Sequence, residues 1–389
     1  MATLLDYIKT NGHRDYHSLA LNELDVAVIN EIGYLAFDEL VADDNHLEAT
    51  IKLSQLPLLQ TREIKGTPYD FLNTKERLDL FQMMCQSKRF SELTLSHYIN
   101  DINTEFEKQF AAMVFRLPSI DYTQLVFRGT DDSLIGWKED FKLTYMREIP
   151  AHRSAIDYLK TYHTYYPNQK LVLSGHSKGG NLALYAASFV PKNVQASLKD
   201  IYLFDSPGLI KEFLTHPGYQ AIRRRLVVIK PQDAIIGVML YCDVPEKIVQ
   251  SQSYGLLQHQ MVNWQITPNA QFKRAPKRSA LSYDLEETFK DWTNQLSKQD
   301  LKLLCDTFFD CLASSGITSL NAFSLDDKAF LTLMRVISSL QSIDHEKKKV
   351  MVKSLHQLMV TYGSYRRRDI SENIHNRLQQ LLTLTKGIK

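Results

Sequence analysis

The run Gly175-His176-Ser177-Lys178-Gly179 places one serine between glycines two positions away on either side. A serine in this setting is suited to attack on an acyl carbon, provided that a strand leads into it and a helix leads out. A serine hydroxyl is a weak nucleophile near neutral pH. It needs an imidazole to take its proton and a carboxylate to fix that imidazole's tautomer. The oxyanion formed on attack needs main-chain donors as well.

Ser177 is therefore the candidate nucleophile, and the partners are expected in the order serine, acid, histidine. His216 precedes a proline ahead of the expected acid, and His345, His356 and His375 lie in a helical tail. His259, in "SYGLLQHQMVNWQI", follows the last strand-like stretch and is the expected general base. Asp233, just past "LVVIK", is the first choice for the acid, because catalytic groups gather at the carboxyl ends of parallel strands. Asp205, which closes "IYLFD", is the alternative acid, and Asp243 is the third. The oxyanion donors are expected from Lys178 and from Thr130 in "LVFRGTDDSLIGWKEDF", where Gly129 permits an unusual backbone angle and Trp137 and Asp140 brace the loop.

These residues need a scaffold. "KLVLS" reads as a buried strand and "NLALYAASFV" as a helix, so both flanks of Ser177 fit. Around them "SAIDYLKTYHTYY", "DIYLFD", "PGYQAIRRR" and "LVVIK" continue an alternation of helix and strand, which favours a largely parallel sheet covered on both faces. Upstream, "FAAMVFRL" and "YTQLVFRG" read as adjacent strands joined by a proline-bearing turn. The expected organisation is an α/β class chain: a helical region over residues 1–105 packed on the core, an α/β core over 106–266, a linker over 267–283, and a helical domain over 284–389. In the last, Ser324 and Asp327 form a capping box, and further helices are expected near 346–362 and 369–382.

Composition narrows the functional classes. With 46 basic and 44 acidic residues in 389, no net field argues for nucleic acid or an anionic membrane. The basic runs at 223–225, 347–349 and 366–368 read as solvated faces. Cys85, Cys242, Cys305 and Cys311 show no CxxC spacing, which suits reduced thiols in the cytoplasm and no metal or other cofactor. The amino terminus lacks a secretory pattern, and the apolar run "AIIGVMLYC" is far shorter than a membrane span needs. That run reads either as a wall for an acyl group or as buried secondary structure.

"VFRGT", "SGHSKGGNLA", "LFDSPGL", "KPQDAIIG" and "QHQMVNW", in this order, resemble the blocks of class 3 (fungal-type) lipases of the α/β-hydrolase superfamily. The combination of G-H-S-K-G-G-N with W-K-E-D-F is more closely similar to a bacterial family of uncharacterised lipase-like hydrolases. The resemblance spans roughly residues 21–264. It implies Ser177 as nucleophile, His259 as base, Asp233 as acid, Thr130 and Lys178 as oxyanion donors, and a small-molecule or lipid-derived acyl ester as substrate. Lys178 stands where the lipases carry an apolar residue, with two readings: a ligand for an anionic acyl group, or a surface ion pair. The alternative to an enzyme is a silent hydrolase scaffold that binds a protein partner through its helical regions.

Overall fold

Strands rich in β-branched and leucine residues, too apolar for one wet face, dictate a sheet buried on both sides. The computed structural model describes residues 1–35, 37, 38, 50–56, 74–131, 133–315, 345, 347–354 and 356–365. Its sheet has eight strands lying in chain order: β1 (Ile51–Lys52), β2 (Thr94–Asn103), β3 (Lys108–Leu117), β4 (Tyr122–Phe127), β5 (Leu171–His176), β6 (Leu198–Phe204), β7 (Leu226–Pro231) and β8 (Glu246–Val249). β1 to β4 pair antiparallel, and β4 to β8 pair parallel. A small hairpin, β9 (Ile266–Thr267) with β10 (Gln271–Phe272), follows.

The hairpin expected from "FAAMVFRL" and "YTQLVFRG" is β3–β4. Its neighbour β2 and the edge strand β8 were not expected, and β1 and β2 bring the sheet into the region before residue 106 that was expected to be helical. β2 eluded the pattern because its sequence, "TLSHYINDIN", turns polar along its second half as the strand leaves the core.

Among the described residues the helices include α1 (Leu4–Asn11), α2 (Glu23–Ile32), α3 (Thr74–Gln86), α4 (Leu134–Lys142), α5 (Pro150–Tyr165), α6 (Lys178–Phe189), α7 (Lys192–Ser197), α8 (Pro217–Ile222), α9 (Ala280–Gln295) and α10 (Lys298–Ser314), and residues 347–354 and 356–365, where a helix was expected near 346–362, are helical as well. Alternate strand residues divide them into two layers. Met113, Phe115, Val126, Val172, Phe204 and Ile229 pack with residues of α1, α2 and α3. Their neighbours Val114, Leu125, Phe127, Leu173, Leu203 and Val228 pack with residues of α5, α6 and α8. The period-two pattern of the sequence thus chooses the face for each side chain.

Leu134 of α4 is buried with Cys305, Phe309 and Leu312 of α10, and Trp137 and Phe141 pack against this cluster. Lys138 ties the same helices together, 2.8 Å from Glu107, 3.6 Å from Asp306 and 3.4 Å from Asp310. At the opposite end of the chain, Ile266 N–H donates to the Ala2 carbonyl at 3.0 Å, and Glu23 pairs with Lys247 at 3.0 Å and Arg274 at 3.1 Å. The capping box at Ser324 and Asp327 and the helix expected over 369–382 lie outside the described residues. No helix among the described residues is long and apolar enough to cross a membrane.

Candidate active site

β5 ends at His176 and α6 begins at Lys178, so Ser177 alone makes the bend, at φ 58° and ψ −132°. A non-glycine residue there carries strain of about 1–3 kcal/mol, which the surroundings must hold. They do so by close packing. A Cβ on Gly175 would lie 2.1 Å from the Gly179 carbonyl carbon, and one on Gly179 would lie 2.1 Å from Phe127 O. Only residues without a Cβ let strand, turn and helix approach this closely. Ser177 N–H donates to Phe204 O at 3.0 Å, tying the bend to β6. The turn and its mostly parallel sheet make this an α/β-hydrolase fold.

Register explains which carboxylate meets the histidine. His176 of β5 sits opposite Phe204 of β6, so the residues one step further, Ser177 and Asp205, emerge side by side. Asp205, at φ 38°, donates its N–H to Ile229 O at 2.8 Å and places Oδ2 2.7 Å from His259 Nδ1. Nδ1–H donates to the carboxylate, which leaves Nε2 as the nitrogen able to take a proton. The Asp205 side chain is 1 % exposed and that of His259 12 %, so this pair is shielded from competing water.

Asp233 is not the partner of His259. It lies beyond β7, one strand further out, and its Oδ2 accepts from Gly255 N–H and Gln258 Nε2, each at 2.9 Å. Its own N–H donates to Gln258 Oε1 at 2.8 Å, so this residue braces the turn carrying His259. Asp243 is bound to Tyr219 and Arg223. His216 accepts from Gly218 N–H at 3.2 Å at the start of α8. The Trp264 indole Nε1–H donates to Gln258 O at 2.7 Å and anchors the same histidine turn in the core.

His176, whose role the sequence did not disclose, connects three parts of the chain. Its Nε2–H donates to the His259 carbonyl at 2.7 Å, and its Nδ1 accepts the Tyr34 hydroxyl at 2.8 Å. Burial holds its pKa well below the ordinary histidine value, so the ring is neutral and the two nitrogens keep these fixed duties. The rings of His176 and His259 lie 4.4 Å apart. Asn181 serves similarly: its Nδ2 donates to Gly208 O at 2.6 Å, holding the segment that follows Asp205, while its Oδ1 accepts from His152 Nε2 at 2.7 Å.

Lys178 fits neither reading drawn from the sequence. Its ammonium is buried, donating to Gln109 O at 3.0 Å, Gln109 Oε1 at 2.6 Å and Glu139 Oε2 at 3.0 Å. Glu139 also accepts from Gln109 N–H and Ala151 N–H, each at 3.0 Å. The main chain of Lys178 stays at the head of α6, while its side chain locks β3 and α4 beneath the loop that bears Thr130. Thr130 Oγ1 donates to Asp140 Oδ2 at 2.5 Å, so Asp140 does hold this loop. Burial pushes the Asp140 carboxyl up to about 6, against the opposing pull of Lys178. The Thr130 and Lys178 amides take no part in the main-chain hydrogen bonding of the described residues outside helices and strands.

Ser177 stands between two cavities. One of about 50 Å³ is shared with His259, Tyr34, Thr130, His176 and Leu257. The other, about 240 Å³, begins at Ser177 and Lys178 and runs beneath α4 and α10, with Ile236, Met239 and Leu240 of the "AIIGVMLYC" run on its wall.

A family model described as Mbeg1-like matches residues 84–310, more than half of the chain. No curated protein matches the sequence. Among solved structures, a deletion mutant of the lipase–propeptide complex of Rhizomucor miehei is 17 % identical over 43 % of this chain and 68 % of that one, with a TM-score of 0.32. Lip2 lipase from Yarrowia lipolytica is 14 % identical over 40 % of this chain and 65 % of that one, with a TM-score of 0.28. M37 lipase is 17 % identical over 44 % and 65 %, with a TM-score of 0.31.

Proposed function

The chain belongs to the Mbeg1-like family, and from the site it carries we propose that it is a serine hydrolase that cleaves carboxylic esters or thioesters through an acyl-enzyme. The observation that carries this reading is the 2.7 Å contact between His259 Nδ1 and Asp205 Oδ2, beside a serine held at positive φ. Ser177 Oγ attacks the acyl carbon and its proton passes to His259 Nε2. Asp205 stabilises the imidazolium through Nδ1–H. The developing oxyanion accepts from the Thr130 and Lys178 amides, and the amino terminus of α6 favours that charge. His259 then protonates the departing alkoxide or thiolate. Water, deprotonated by the same imidazole, releases the acid and restores Ser177.

The four cysteines, all unpaired thiols, support a reducing compartment and hence the cytoplasm. The test of the activity is direct. A fluorophosphonate probe should label Ser177 in the folded wild type and fail on Ser177→Ala. Unlabelled but folded wild type would leave the hydrolase reading without support.

A further inference from the structure

We propose that the 240 Å³ cavity is an acyl-chain subsite whose far wall is α10, so that this carboxy-terminal helix sets the length of acyl chain accepted. The proposal rests on Ser177 being the acyl-accepting nucleophile. Beyond the mouth at Ser177 and Lys178, the lining is Phe141, Leu143, Ile236, Met239, Leu240 and Phe309, with few polar groups. Two of these are Asp140 and Thr144: Asp140 Oδ2 accepts from Thr130 while Oδ1 lies 3.7 Å from the Lys178 ammonium, and the Thr144 hydroxyl donates to Phe141 O at 2.7 Å. Such a lining offers little to a charged or sugar-like acyl group, and the Lys178 ammonium is turned inward to Gln109 and Glu139. It rewards methylenes.

The wall is built to keep its shape. α10 is fixed to α4 by the buried cluster around Phe309 and by the Lys138 ion pairs. The turn at 236–238 is held from α9, where Ser282 Oγ donates to Ala234 O at 2.6 Å. A cavity of roughly 150 Å³ takes up benzene, so one of about 240 Å³ has room for a chain on the order of eight carbons. Phe308, 45 % exposed, is the open member of the lining and lies against Phe309 at 5.2 Å. Longer chains must emerge past it.

The experiment compares 4-nitrophenyl esters from acetate to palmitate with wild type, Met239→Trp and Phe309→Ala. In wild type, kcat/KM should rise by up to about fourfold per buried methylene and then level or fall beyond about eight carbons. Met239→Trp fills the cavity and should lower the octanoate-to-acetate ratio at least tenfold. Phe309→Ala should move the optimum to longer chains. Unchanged ratios in the folded Met239→Trp variant would overturn the assignment. Calorimetry of sodium octanoate with Ser177→Ala provides a readout that needs no turnover: binding that Met239→Trp abolishes supports the subsite, and absence of binding in Ser177→Ala overturns it. A wild type that binds octanoate but resists the fluorophosphonate would retain the subsite and sink the hydrolase reading, so the two failures are distinguishable.

Discussion

The two sides of Ser177 are made in different ways. On the side of His259, named polar groups take fixed partners: His176 with Tyr34 and the His259 carbonyl, Asp205 with His259, and Asp233 with the histidine turn. On the side of α10, mainly apolar surfaces from α4, the turn at 236–238 and α10 meet around a cavity, and the ion pairs of Lys138 and the Ser282 hydrogen bond hold its walls from behind. The contrast teaches that the polar groups around Ser177 are positioned by hydrogen bonds near the strand ends, whereas the shape of the adjoining cavity is left to packing between helices distant in sequence. Changes on the first side should act on kcat, and changes on the second on preference among esters.

The sharpest break in that comparison is Asp205→Asn. It should lower kcat by about 10⁴ by imposing the wrong tautomer on His259. Asp233→Asn, which loosens only the turn, should cost no more than about tenfold, well short of the roughly 10² that a misplacement near 1 Å produces. Equal losses, measured by steady-state kinetics on one ester, would return Asp233 to consideration as the acid.

Lys178→Met belongs to the polar side and should act on stability. It strands Glu139 in the interior at a cost of about 3–5 kcal/mol, readable from urea denaturation, and Glu139→Gln in the same chain should restore part of it. Gly237 joins the two sides, since a Cβ there would lie 2.3 Å from Asp205 Oδ1, while its neighbours wall the cavity. Gly237→Ala should lower kcat up to about 10²-fold and also alter ester preference, a double effect that neither side alone would give.

The smallest effect concerns pH. Asp140 titrates near 6 in the folded chain against an ordinary value of 3.8, with Lys178, Glu139 and Asp131 as its charged neighbours. The folded state therefore holds this proton more tightly than the unfolded chain. The stability so conferred is complete below about pH 3.8 and is lost as pH rises through about 6. Asp140→Asn should gain on wild type by up to about 3 kcal/mol above pH 6, less what screening at a 22 % exposed side chain removes, and by little at pH 4, as measured by denaturation at both values.

The polar side was far more legible in the sequence than the apolar side. The strand, turn and helix around Ser177 are local, and period-two and period-3.6 patterns reveal them without knowledge of distant contacts. His259 stood out through its position after the last strand. The carboxylate that meets His259 was harder to place, because Asp205 and Asp233 both close strands. Only register shows that the strand beside β5 ends level with the serine while β7 lies one place further out. His176 and Lys178 sat in full view within the motif, but their partners Tyr34, Gln109 and Glu139 come from elsewhere in the chain. The apolar faces of α4 and α10 were visible as faces. A helical stripe states that it must be covered, not by what.

The seam between Ala2 and Ile266 bears on synthesis. A chain emerging from the ribosome can assemble the strands from β2 to β7 in order, since each pairs with its predecessor. The first helices, however, have no hairpin to clasp until residue 266 has appeared, and the turn bearing His259 is threaded immediately before it. The turn bearing His259 thus gains its tie to the first helices only after both of these distant segments have been made.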